Sequence, residues 1–107
     1  MDGWSGRPLK ILDAATGTGP GAWVQVPFDH GYFTKFGWQV NPTGSFSALS
    51  VKLEMSLDGV NPTTADTNST TTGGLQWFAD KPAAYIRANI GTFTGGTSVD
   101  VFAIASD

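Results

Sequence analysis

The clearest alternation in the chain places Leu49, Val51, Leu53, Met55 and Leu57 at every second position, with Ser50, Lys52, Glu54 and Ser56 between them. A period of two is that of a strand, whose successive side chains point to opposite faces. The apolar row is therefore expected in a core, with Lys52 and Glu54 toward water or a partner. A second run sets Ala84, Ile86, Ala88 and Ile90 against Tyr85, Arg87 and Asn89 and reads as another strand. From Val99 to Ala105 the chain is apolar on both faces after Asp100, as in a strand covered on both sides, either central in its sheet or against a neighbour. Trp23-Val24-Gln25-Val26, the alternating Tyr32, Thr34, Phe36, Trp38 and Val40, and Leu75-Gln76-Trp77-Phe78-Ala79 add three more runs.

Pro27, Pro42, Pro62 and Pro82 fall between these runs, and no window offers a capped helical pattern of three turns. The spacing predicts an all-β chain: a single antiparallel β-sandwich, jelly-roll-like, over residues 21–107. Two stretches do not read as sheet interior. Residues 1–20 hold four Gly, Pro8 and Pro20 around the short apolar run Leu9 to Leu12, and predict an extended N-terminal arm able to add an edge strand. If that arm only clamps neighbours, its deletion leaves a folded sandwich. The polar run from Asp58 to Gly74 is too long for an ordinary hairpin and predicts a functional or mobile loop.

A length of 107 residues allows one domain with one core, and the 40% hydrophobic content is ample for it. Charged residues make up only 14%, so Thr, Ser and Gly cover much of the surface, which suits lasting contact with other protein. A net charge of −3 without a basic run argues against nucleic acid, since phosphate binding needs clustered Lys and Arg. No stretch approaches the roughly 20 apolar residues of a membrane helix. The opening Met1-Asp2-Gly3-Trp4-Ser5-Gly6 lacks the pattern of a secretory signal, which predicts synthesis in the cytoplasm.

Candidate chemistry is sparse. The single His, His30, sits beside Asp29 in a turn segment, with no nucleophile elbow or second His to support catalysis or metal binding. Most carboxylates fall at strand ends, where Asp usually bonds its own backbone. Asp58, Asn61 and Asp66 offer oxygens to a cation, but their spacing fits no EF-hand loop. Asn68-Ser69-Thr70 matches the N-glycosylation pattern. No catalytic set, metal site or cofactor is predicted. The aromatic inventory remains, and it nominates contact residues: Trp4 in the Gly-rich arm with its neighbours Leu9 and Ile11, then Trp77, Tyr85 and Arg87 on strand faces away from the expected core.

Three segments carry a resemblance: Ser47 through Asn61 with its Ser-Leu-Asp-Gly ending, Pro82-Ala83-Ala84-Tyr85-Ile86-Arg87-Ala88-Asn89-Ile90, and Gly95-Gly96-Thr97-Ser98-Val99-Asp100-Val101. Over about residues 37–105 the chain resembles small β-sandwich virion proteins of tailed bacteriophages, of the head decoration or cement type. It bears a more distant similarity to discoidin-like, carbohydrate-binding jelly rolls. Members often place Trp soon after Asp-Gly-Val-Asn, whereas here Asn61 is followed by Pro62-Thr63-Thr64, and that departure weighs toward a structural role. The resemblance implies a non-enzymatic virion protein, made in the host cytoplasm and present as a homo-oligomer or in many copies on the particle. Its partners would be the major capsid protein or other virion proteins. In the alternative reading the chain is a carbohydrate-binding module or tail-associated adhesion domain, with glycan stacked on Trp77, Tyr85 or Trp38. Within the sandwich, Arg87 is expected to pair with Glu54 or Asp58.

Overall fold

The computed structural model describes residues 8–26, 35–79 and 83–106, and none of these is helical. The alternating runs form strands β1 (Leu9–Ala15), β2 (Gly19–Pro20), β3 (Val24–Gln25), β4 (Lys35–Thr43), β5 (Phe46–Ser56), β6 (Thr63–Asn68), β7 (Gly74–Ala79), β8 (Tyr85–Gly95) and β9 (Ser98–Ser106). One sheet has the order β1-β9-β4-β7; the other has β2-β8-β5-β6, with β3 also on the free side of β8. Every pairing is antiparallel. With β2 and β3 sharing one position, this is the eight-position, two-sheet order of a jelly roll, and the expected sandwich is the observed fold.

The core lies between the sheets and follows the period-two pattern. β5 buries Leu49, Val51, Leu53 and Met55; β8 buries Ile86, Ala88 and Ile90; β4 buries Phe36, Trp38 and Val40; β9 buries Val99, Val101, Ala103 and Ala105. Fully burying a Leu, Ile or Phe contributes about 1.5–3 kcal/mol, so these rows supply most of the driving force. Phe78 adds its ring to Phe36 at a centroid distance of 5.6 Å. The run Val99 to Ala105 proves central, because β9 lies between β1 and β4.

At one end, the crossings from β4 to β5 and from β8 to β9 are stapled together. Gly96 N–H donates to Ser45 O and Thr97 N–H to Thr43 O. Gly96 has φ +67, and a side chain there would run into the Phe46 ring, so the turn requires glycine on both counts.

Four expectations are corrected. Residues 9–15 are not an arm for a neighbour: they do add an edge strand, but to their own sheet, beside β9, with Ile11 buried in the core. The chain then crosses to the other sheet, where Gly19–Pro20 and Val24–Gln25 pair with β8 and Gly21 N–H reaches Ala88 O at 2.7 Å. No structural boundary therefore falls at residue 20. The run from Asp58 to Gly74 is not one long loop, since β6 within it pairs with β5 from Val51 to Met55. Leu57 leaves the apolar row, because β5 ends at Ser56 and the chain turns, exposing it.

Candidate interaction face

On the outer face of the first sheet, register sets side chains from three strands in rows. Gly37 of β4 lies between Ile104 of β9 and Trp77 of β7; Gln39 lies between Phe102 and Leu75. All but Gly37 and Gln39 are apolar, and they face outward because their neighbours in sequence point into the core. Trp77 is 71% exposed and Leu75 56%.

Gly37 gives this face its shape. A Cβ at that position would stand 3.2 Å from Ile104 Cγ2 and 4.0 Å from Trp77 Cβ, so its absence sinks a trough between the two side chains. The trough holds about 450 Å³ and is bounded further by Lys35 and Ala79. Next to it, Pro8, Gln39, Leu75 and Phe102 line a smaller hollow on the same face. Lys10 closes the far side, its ammonium 5.3 Å from the centre of the Phe102 ring. An aromatic-rich apolar stripe edged by Lys10 and Lys35, with Gln39 within it, has the make-up of a contact surface.

The other candidate residues fall elsewhere. Arg87 is committed to its own fold: its Nε donates to Glu54 Oε1 at 2.7 Å, and its guanidinium lies 4.3 Å from the centre of the Trp23 ring. Asn89 donates to the second Glu54 oxygen at 3.1 Å. Glu54, expected toward water or a partner, is buried beneath these groups, and Arg87 serves it as a structural partner. Of the two acids expected for Arg87, the structure selects Glu54. Tyr85 is half-buried, its ring packed against the turn at Gly59. Ile11 is core, and Leu9 is partly exposed at the start of β1, opposite Ala103. Trp38 is only 1% exposed, which removes it as a stacking platform. Trp4 and the Asp29-His30 pair lie outside the described residues.

A second hollow of about 480 Å³ lies where β5 turns toward β6, lined by Met55, Asp58, Asn61, Thr63, Ala65 and Ala83 among others. Its Ser56, Asp58 and Asn61 side chains are occupied by the turn itself. Asp58 Oδ1 accepts from the Ser56 hydroxyl and from the N–H groups of Val60 and Asn61, at 2.7, 2.8 and 2.9 Å, while Oδ2 accepts from Asn61 Nδ2 at 2.8 Å. The Asn61 N–H foremost, then the Ser56 hydroxyl, the Val60 N–H and the Asn61 amide, hold its carboxyl well below the usual carboxylate range. Asp66 is turned away, accepting from Trp38 Nε1 at 2.9 Å and Gln76 Nε2 at 3.0 Å. The three oxygen donors considered for a cation thus do not converge. Among the described residues no three His, Asp or Glu side chains group as a metal site would need. The Asn68 side chain is buried, with its Oδ1 accepting from Thr70.

Sequence reasoning named Trp77 but passed over Leu75, Gly37, Phe102 and Ile104. One signal was present: the two-sided apolarity of Val101 to Ala105 requires something to lie against Phe102 and Ile104. Gly37 gave none, because its meaning depends on which residues of β7 and β9 flank it.

No protein-family model and no curated protein matches the chain. Among solved structures, the SPBc2 prophage-derived protein YomS is similar with a TM-score of 0.68 and 16% identity, over 92% of this chain and 89% of that one. PirA is similar at a TM-score of 0.47 and 9% identity, over 94% and 92% of the two chains. A structure from Bacillus endospore appendages, described as a novel family of disulfide-linked pili, is similar at 0.44 and 14%, over 90% and 80%. The chain thus shares its all-β fold, over most of its length, with a prophage-derived protein.

Proposed function

We propose that this chain is a non-enzymatic structural protein of a bacteriophage virion, a decoration or cement protein of the head shell. In this reading it attaches to neighbouring virion proteins through the outer face of the β1-β9-β4-β7 sheet. The observation that carries the reading is the apolar stripe around the Gly37 trough, with Trp77 and Leu75 exposed and Ile104 and Phe102 half-buried. Leaving such a stripe in water is unfavourable, and covering it with protein recovers that free energy. The likeness in fold to a prophage-derived protein over 92% of the chain supports the same reading, as does the resemblance of the three sequence segments to virion sandwiches. Repetition on a symmetric shell lets modest single contacts sum to firm attachment.

A glycan-binding reading has one observation in its favour: the flat Trp77 ring stands beside a trough with Gln39 and Lys35 close by. Two titrations separate the readings. The purified chain is expected to co-sediment with shells assembled from the capsid protein encoded alongside it, while its tryptophan fluorescence stays unchanged across a glycan panel. Saturable quenching by a glycan, lost in Trp77→Ala, together with no sedimentation with shells, would overturn the virion reading in favour of the second.

A further inference from the structure

Among the described residues the sheets end in four edges, and three of them carry features that repel an added strand. β1 has register breaks between Lys10 and Leu12 and between Leu12 and Ala15, the charges Lys10 and Asp13, and Ala14 in the left-handed region with φ 49. β2 and β3 are two residues each, and β2 contains Pro20. β6 slips its register opposite Leu53 and Glu54 and turns Asp66 inward. Breaks, charges, Pro and short length are the means by which exposed edges avoid pairing.

β7 has no register break, no charge and no Pro, and its one positive φ falls on a glycine, Gly74, at its start. Its six residues, Gly-Leu-Gln-Trp-Phe-Ala, run along β4 from Lys35 to Val40. Its outward row is Leu75, Trp77 and Ala79, the first two being the exposed pair already described. We infer that β7 pairs antiparallel with β7 of a second copy of this chain about a twofold axis at Gln76, joining two four-stranded sheets into one of eight strands. The inference rests on reading this face as a protein-binding surface and names one partner for it.

Self-complementarity selects a second copy. Antiparallel partners share a face, and with Gln76 at the axis Leu75 lies opposite the partner's Trp77 and Trp77 opposite the partner's Leu75. Each exposed apolar side chain then gains the other copy's as a cross-strand neighbour, twice over, while the outer face stays open. Charge does not oppose the arrangement, since the strand has none. The nearest cation on this face, Lys35, is paired with Ala79, three residues from the axis. At about 3.4 Å per residue the two Lys35 positions stand on the order of 20 Å apart, beyond the screening length of about 8 Å in physiological salt. The pairing also makes the apolar stripe continuous across two copies, with the twofold axis at its centre.

The absence of native cysteine makes the register directly testable. Leu75→Cys and Trp77→Cys chains are prepared separately, then mixed under mild oxidation. The mixed disulfide is expected to form several-fold faster than either homodimer, because only the mixed pair is directly opposed. Light scattering on the native chain is expected to give a dimer, and on Trp77→Lys a monomer; because Trp77 packs mostly against water, that variant keeps its fold, which circular dichroism verifies. A native chain that is monomeric up to its solubility limit, or equal rates for mixed and like disulfides, overturns the pairing. If that monomer still binds shells in a Trp77-dependent way, the pairing fails and the proposed function stands. If the dimer forms with the expected register but ignores shells, the pairing stands and the proposed function fails.

Discussion

Asp66 joins the two sheets at the side where β6 and β7 form their edges. The Trp38 indole lies in the core at 1% exposure, out of reach of water, and Asp66 Oδ2 is its acceptor. The same oxygen accepts from Gln76 of β7, and Gln76 also donates to Thr67 O, so one carboxylate links β4, β6 and β7. Asp66→Ala leaves a buried donor unpaired and is expected to cost about 1–3 kcal/mol, read as a lowered urea midpoint. Asp66→Asn keeps an acceptor in place and is expected to cost less. Asp58 acts on a smaller scale, folding the turn after β5 around its carboxylate. Its folded-state pKa lies below the unfolded value of about 3.9. The stability it contributes is therefore complete above about pH 4 and is lost as pH falls further. Thermal melts from about pH 5 down to about pH 2 are expected to show a steeper loss in the native chain than in Asp58→Asn, which cannot take up the proton.

At the scale of elements, the N-terminal strands are the least expected part of the structure. β1 completes one sheet and β2 and β3 complete the other, so this segment clasps the sandwich along one side. Deletion of residues 1–20 removes Ile11 from the core and leaves β9 with an open edge. The truncated chain is expected to lose cooperative unfolding. Ile11→Ala alone is expected to lower stability by about 2–4 kcal/mol in denaturant melts. A truncated chain with a native-like transition would contradict this role. The reason sequence missed it is physical: Leu9 to Leu12 reads as a strand, but nothing local distinguishes pairing with its own β9 from pairing with another molecule. β6 was missed differently. Thr63-Thr64-Ala65-Asp66-Thr67-Asn68 has no apolar alternation, because an edge strand turns one face to water and here spends the other on Asp66 and Asn68. Its three Thr, favourable in strands, were the available hint. β5, β8 and β9 were legible because each buries one full row of side chains, and that requirement writes itself into the sequence at every second position.

At the scale of the whole molecule, the sandwich has one finished face and one unfinished one. The outer face of the β2-β8-β5-β6 sheet is closed by Glu54, Arg87, Asn89 and Trp23, which satisfy one another. The outer face of the other sheet leaves Trp77 and Leu75 in solvent around a trough, although the chain has only 14% charged residues to keep it soluble. The outward position of Trp77 was readable from the alternation in Leu75 to Ala79. Its setting was not, since the trough arises from three strands that meet only in the fold. The attachment claim is tested most directly by sedimenting assembled shells with three chains: native, Trp77→Lys and Leu57→Lys. Both substituted side chains are mostly exposed, so both variants are expected to fold with changes within about 0.5 kcal/mol. The native chain and Leu57→Lys are expected to pellet with the shells and Trp77→Lys to remain in the supernatant. Trp77→Lys that binds as firmly as the native chain would contradict the placement of the interface.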